Sequence, residues 1–168
     1  MDRFDSLTRS RIMASVGQRD TGAEMALRKT LHRTGLRYRL HDRSLPGSPD
    51  LVFRRFHAVV FVHGCYWHSH GCYRSTVPKS RQHFWKDKFE ANRSRDRRNI
   101  ASLLDGGWRV LTVWECALRG KLAQDPVTLA EAVKVWLDSP QPTAEIDGNT
   151  DLAAVLSISD SGRSEQNA

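Results

Sequence analysis

Residues Asp50 to Cys72 read DLVFRRFHAVVFVHGCYWHSHGC, a hairpin followed by a loop crowded with reactive side chains. Leu51-Val52-Phe53 and Ala58 to Val62 read as two strands turning near Arg55. The second is a continuous apolar, β-branched run of the kind buried on both faces of a sheet. Pairing the two brings Asp50 back opposite about Val60 to Val62, beside the mouth of the loop. From Val60 to Cys72 thirteen positions hold two cysteines, three histidines and, besides Phe61 of the strand, two large aromatics, a composition suited to metal ligation, proton transfer or both.

Upstream, a Pro46–Pro49 turn leads into the hairpin. Before it, Thr21-Gly22-Ala23-Glu24 has capping-box form and opens a helix whose face carries Ala23, Leu27, Thr30, Leu31 and Thr34, stopped by Gly35. Residues 1–20, with Arg3, Arg9, Arg11 and Arg19 and the weak apolar stripe Ile12, Met13 and Val16, read as a basic N-terminal arm or helix. Downstream, Arg93 to Asp105 reads as a helix with Ile100, Leu103 and Leu104 inward and Arg93, Arg95, Arg97 and Arg98 outward, ended by Gly106-Gly107. Trp108 to Trp114 alternates as a third strand and runs into Glu115-Cys116. Asp125-Pro126 starts a last helix carrying Ala130, Val133, Trp136 and Leu137. Beyond it the composition turns to Pro, Ser, Asp, Gly and Asn, which predicts a disordered tail over 139–168. The remaining 21–138 is expected to form one α/β domain.

The 168 residues carry a formal charge of +7 and a pI near 9.8, which favours a polyanionic partner, because Lys and Arg contacts to phosphates supply most non-specific nucleic-acid affinity. No apolar run approaches a membrane span, and Met1-Asp2-Arg3-Phe4-Asp5 lacks a signal peptide's apolar stretch, so a cytosolic protein is expected. Three cysteines, an odd number, argue against a disulfide framework and for metal binding.

Cys65, His70 and Cys72 form Cys-x4-His-x-Cys, and Cys116 ends a strand that can lie beside the one ending at Val62. Three thiolates and an imidazole suit tetrahedral zinc; with four protein ligands such a metal is structural. His68, two residues from His70, could replace it, so spacing alone does not assign the ligand; His70 is the favoured one.

At this point the chain resembles the very-short-patch-repair (Vsr) endonucleases, bacterial mismatch nicking enzymes. The resemblance runs from "TRSRIMASV" and "RDTGAE" through "SLPGSPDLVF", "VFVHGCYWHSHGC" and "FWKDKFEANRSRDRRN" to "GWRVLTVWECALRG". It implies a restriction-endonuclease-like α/β core, a mixed central sheet flanked by helices, with a structural zinc and a Mg²⁺-dependent active site. It also implies double-stranded DNA carrying a T·G mismatch from 5-methylcytosine deamination as substrate, nicked 5′ to the thymine. A monomeric enzyme of the bacterial cytoplasm and nucleoid is implied, with a mismatch-repair protein and DNA polymerase I as partners. Carried over by position, Cys65, His70, Cys72 and Cys116 match the zinc ligands. Asp50 matches the Mg²⁺-binding aspartate, His68 the histidine near the attacking water, His63 the one assisting the phosphate, and Glu24 a glutamate near the metal's waters. Tyr66, Trp67 and Trp85 match the aromatics inserted into DNA beside the mismatch.

Phosphodiester hydrolysis needs a deprotonated water in line with the leaving oxygen and positive charge on the phosphate. Asp50 is the expected metal anchor, with the Val62 backbone carbonyl as a second hard ligand; Val62 stands where threonine is the usual family residue. The acidic-x-lysine pair of restriction enzymes is absent and histidine replaces the lysine. Tyr66 stands where phenylalanine is usual, so its hydroxyl needs a partner. Glu24 is also explained by the capping box and Trp85 by core packing. Trp108, Trp114 and Trp136 are assigned to the core, while Lys86 and Lys88 join the arginines in tracking phosphates. The alternatives are a non-catalytic zinc-stabilised module that binds mismatches and recruits repair factors, or a nuclease of different specificity.

Overall fold

The computed structural model describes residues 5, 7–8, 11–12 and 19–163, with side chains through 157. The predicted N-terminal arm therefore lies mostly outside the described residues.

Helix α1 (Gly22–Arg33) begins as the capping box requires, with the Thr21 hydroxyl accepting the Glu24 N–H at 3.2 Å. It stops at Gly35, whose φ of 85° allows Gly35 N–H to reach His32 O and Leu36 N–H to reach Leu31 O. These paired bonds form a Schellman stop.

Strands β1 (Arg39–Leu40), β2 (Leu51–Phe53) and β3 (Ala58–His63) pair antiparallel in turn. The predicted hairpin turns through a 3-10 segment at Arg54–Phe56, with Leu51 opposite Val60. Helix α2 (Gln82–Asp105) then carries the chain back to β4 (Arg109–Trp114), which lies parallel to β3 with Trp114 opposite His63. A short helix α3 (Glu115–Leu118) and α4 (Pro126–Asp138) follow, then β5 (Thr143–Ile146), parallel to β4, and α5 (Leu152–Arg163). The sheet is mixed and five-stranded, in the order β1-β2-β3-β4-β5.

Period-2 alternation along the central strands divides their side chains between two cores. Leu51, Phe53, Val60, Leu111 and Val113 pack with Leu27 and Leu31 of α1 and Val133 and Leu137 of α4. Val52, Val59, Phe61 and Val110 pack with Leu103 of α2 on the opposite face. Helices thus flank both faces, as an α/β layering requires. Arg109 ties the layers together: its guanidinium donates to the carbonyls of Phe56, Trp136, Leu137 and Ser139 at 2.7–3.1 Å. Three of those carbonyls lie at the C-terminal end of α4, where the helix dipole is negative.

Two expectations are corrected. The helix expected from Arg93 begins at Gln82, because Trp85 and Phe89, one turn apart, bury its first turns. Residues 139–168 are not one disordered tail. Thr143–Ile146 hydrogen-bonds to β4, and Leu152 of α5 is buried in the main core. Gly, Asp and Asn supply the turn at 147–151 between these elements, and the turn's composition had masked both.

Candidate functional site

The parallel strands β3 and β4 end side by side, and ligand sites in open α/β sheets form outside the carboxyl ends of such strands. A groove of about 1860 Å³ opens there, bordered among others by Asp50, His63, Tyr66, Trp67, His68 and Arg95.

Asp50 reaches β3 across the hairpin: its Oδ2 accepts the Val62 N–H at 2.7 Å. Oδ1 lies 3.8 Å from His41 Nδ1. Burial pushes the Asp50 carboxyl up to about 6, opposed by the Val62 N–H and aided by the nearby charge of Glu24. Glu24 is 2% exposed, and its Oε1 lies 3.0 Å from both His41 Nε2 and Arg28 Nη2 without a donor aligned on it. Arg28 also pairs with Asp20. Although Asp20, Glu24 and His41 stand close enough to share a cation, the Arg28 guanidinium already lies among them. Asp50, half-buried with one oxygen spare, suits a hard cation such as Mg²⁺.

His63 and His68 stack face to face, 3.9 Å between ring centroids and 4° from parallel. His63 is buried, and burial together with the neighbouring His68 pushes its pKa down to about 3, so it is neutral near pH 7. His68 Nδ1 is engaged by Asp96 of α2 in a short contact. Burial alone would raise the Asp96 carboxyl, but the bond from His68 and the surrounding positive charges lower it on balance. A carboxylate on Nδ1 leaves Nε2 as the nitrogen available for proton transfer.

The second cluster joins Cys65, His70, Cys72 and Cys116, whose ligand atoms all lie within 4.8 Å of one another. His70 Nδ1 is 3.8 Å from Cys116 Sγ. Tetrahedral zinc with thiolate and imidazole ligands needs about 3.6–3.8 Å between ligand atoms. Backbone N–H groups of Cys116, Arg74 and Gly148 donate to the sulfurs of Cys65, Cys72 and Cys116 at 3.3–3.4 Å. Such donors favour thiolates. Burial raises the Cys65 and Cys116 thiols. It opposes the trend at Cys72, where the bonds from His70 and the Arg74 N–H prevail and lower the thiol to about 7. His70, not His68, stands in this cluster, and Gly71 at φ 92° makes the reversal between His70 and Cys72.

The expected DNA-inserting aromatics separate into two layers. Tyr66 and Trp67 border the groove, whereas Trp85 is 7% exposed and packs behind them on Tyr66, Trp67 and Phe89. Asn92 Nδ2 donates to the Trp67 carbonyl at 2.9 Å, and Lys88 Nζ sits 5.6 Å from the Trp67 ring. The arginines of α2 also separate: Arg95 faces the groove, while Arg93 and Arg97 pair with Glu90 at 2.7 and 2.8 Å.

Asp96, His41, Arg28 and Asp147 had no assigned role in the sequence reading. Arg28 stands one helical turn from Glu24, a local spacing that could have marked it; Asp96, His41 and Asp147 meet their partners across loops or a helix, where no local spacing marks them. For Asp96 the only available cue was helical periodicity, which places it on the face of Asn92 and Asn99. Trp114, assigned to the core, lies instead between the two clusters.

The family model of DNA mismatch endonuclease Vsr matches residues 1–74. The chain is 44% identical over 146 residues to "DNA mismatch endonuclease Vsr" of Escherichia coli (strain K12), covering 87% of this chain and 94% of that one. It is 49% identical over 117 residues to "Type II nicking enzyme V.XorIIP" of Xanthomonas oryzae pv. oryzae, covering 70% and 86%. With "Type II nicking enzyme V.NmeAIP" of Neisseria meningitidis it shares 39% over 120 residues, covering 71% and 86%.

Proposed function

Because this chain belongs to the Vsr family of DNA mismatch endonucleases, we propose that it nicks duplex DNA 5′ to the thymine of a T·G mismatch left by 5-methylcytosine deamination. That it is a DNA endonuclease of very short patch repair follows from the family itself. The observation that carries the finer reading is the meeting of Asp50, His63 and the Asp96-bound His68 with Tyr66 and Trp67 in one groove.

Asp50, with the Val62 backbone carbonyl, would hold Mg²⁺, which when bound supplies positive charge to the phosphate and acidifies water. His68 takes the proton of the attacking water at Nε2 while Asp96 holds the ring by Nδ1 and balances the imidazolium. His63, kept neutral by burial, donates an N–H to a phosphate oxygen as the P–O bond to the leaving oxygen breaks. Glu24 orients His41 toward Asp50 and the waters around it. Cys65, His70, Cys72 and Cys116 would hold zinc, which cross-links the loop to the end of β4 and has no open position for chemistry. The core is read as restriction-endonuclease-like, with Asp50 on its hairpin.

Tyr66 and Trp67 enter the opened base step, offsetting unstacking by roughly 1–3 kcal/mol per stacked base. Trp85 joins them at the DNA once the outer pair has moved off it. Lys88 and Arg95 contact backbone phosphates. The basic N-terminal arm, residues 1–20, would contact the DNA, and Ile12 borders the same groove. None of the described helices is long and apolar enough to cross a membrane. We place the monomeric protein at the bacterial nucleoid, working with a mismatch-repair protein and DNA polymerase I.

The test uses purified protein, Mg²⁺ and strand-labelled duplexes differing only at one T·G or T·A pair, in several flanking sequences. A single Mg²⁺-dependent nick 5′ to the mismatched thymine is expected, with little cutting of the T·A control. Binding without a cut would indicate the recruiting module, and equal cutting of both duplexes a different specificity.

A further inference from the structure

We propose that Asp147 is the positioning residue of the metal centre, fixing His70 from behind and making the turn after β5 part of that centre. The proposal rests on reading Cys65, His70, Cys72 and Cys116 as zinc ligands.

The two nitrogens of His70 face opposite ways. Nδ1 looks into the sulfur cluster, 3.8 Å from Cys116 Sγ, and Nε2 lies 3.3 Å from Asp147 Oδ2. A carboxylate beside Nε2 keeps the ring proton there, which leaves the Nδ1 lone pair for a metal and raises its donor strength.

The carboxylate is itself held. Its other oxygen, Oδ1, accepts the Asn149 N–H at 2.8 Å and the Thr150 hydroxyl at 3.0 Å. Gln124 Nε2 clamps the turn through the carbonyls of Asp147 and Thr150 at 3.1 and 2.9 Å. The next residue, Gly148, donates its N–H to Cys116 Sγ at 3.3 Å. A Cβ on Gly148 would come within 2.6 Å of Leu122 Cβ and 2.9 Å of its carbonyl, so the close seating requires glycine. One turn therefore supplies a partner to the imidazole and a donor to a thiolate.

Asp147→Asn separates this role from an ordinary turn role. The amide oxygen can keep the Asn149 and Thr150 bonds, but the amide nitrogen cannot accept from His70 Nε2. Zinc affinity is measured by competition with a chromophoric chelator, and the Co²⁺-substituted protein is followed through its ligand-field bands. Asp147→Asn and Asp147→Ala are both expected to weaken zinc by about 10- to 100-fold and to shift the Co²⁺ bands. Glu131→Ala, an exposed change on α4, should do neither. Zinc affinity of Asp147→Asn within twofold of the parent, with unchanged bands, would overturn the proposal while leaving the ligand set intact. A parent protein that takes up no stoichiometric zinc, or a Cys116→Ser variant that keeps it, would instead overturn the ligand reading and this proposal with it.

Discussion

Trp114 lies flat against His70, 4.1 Å between ring centroids and 18° from parallel, while its edge meets His63 at 5.4 Å and His68 at 6.3 Å. One indole thus touches the imidazole of the proposed metal cluster and both histidines of the proposed catalytic pair. Trp114→Ala should lower stability by about 1–3 kcal/mol and reduce zinc retention and nicking together, whereas Trp114→Phe keeps a flat ring and most of both. Zinc release and nicking assayed on the same preparation check this; loss of one without the other would contradict the coupling.

The two aromatic layers behave differently on truncation. Trp67→Ala removes a groove-facing ring and should abolish mismatch discrimination with little change in melting temperature. Trp85→Ala empties a buried position and should cost about 3–5 kcal/mol of stability before any effect on DNA. Thermal denaturation beside mismatch-binding titrations distinguishes them.

Asp50 sets a pH dependence. Its folded pKa of about 6 lies above the ordinary 3.8, so the folded state binds more protons between these values. Stability accordingly falls as pH rises through that window, and the penalty is fully present above the folded value. In zinc-loaded, magnesium-free protein, Asp50→Asn should be the more stable form at neutral pH by up to about 3 kcal/mol. Its advantage should grow as pH rises from 3.8 to about 6 and level off above that, while nicking is lost. Denaturant titrations across that range check the sign; an advantage that shrinks with pH would refute the assignment.

Arg95 and Arg93 make a matched pair on one helix. Arg95→Ala should reduce the slope of log K against log salt for duplex binding by about 0.9, as loss of one phosphate contact does. Arg93→Ala, which removes a partner of Glu90, should leave the slope unchanged. Equal effects would mean that the whole arginine face lies on DNA.

Arg109 carries no proposed chemistry, yet its guanidinium serves four carbonyls. Arg109→Met should cost about 2–4 kcal/mol by leaving the end of α4 uncapped. Arg109→Lys should recover only part, because an ammonium lacks the planar fork. Chemical denaturation measures both.

Local chemistry made much of the fold legible. The capping hydroxyl of Thr21, the glycines at 35 and 107 and the apolar run into Val62 each announce their structure within a few residues. The hairpin also carried Asp50 to Val62, whereas spacing left His70 and His68 both open and the fold brings His70 to the cysteines. What stayed hidden is non-local or half-exposed. Asp96 meets His68 across a separation of 28 residues, and nothing near either position predicts it. The edge strand β5 buries only Ile146 and so reads as polar chain. The first turns of α2 are stabilised by aromatics that a reader of motifs assigns to DNA.

The ligand cluster also has an order of birth. Cys65 and Cys116 are 51 residues apart in the chain, and Gly148 follows Cys116 by another 32. A ribosome adding roughly 5–20 residues per second delivers the last of these several seconds after the first. Until Cys116 is made the loop bearing His63 and His68 lacks its anchor at the end of β4, and the Gly148 donor comes later still. A nascent chain therefore displays the histidines proposed to cut DNA before the partners of their loop exist, and the turn after β5 is the last of those partners to be made.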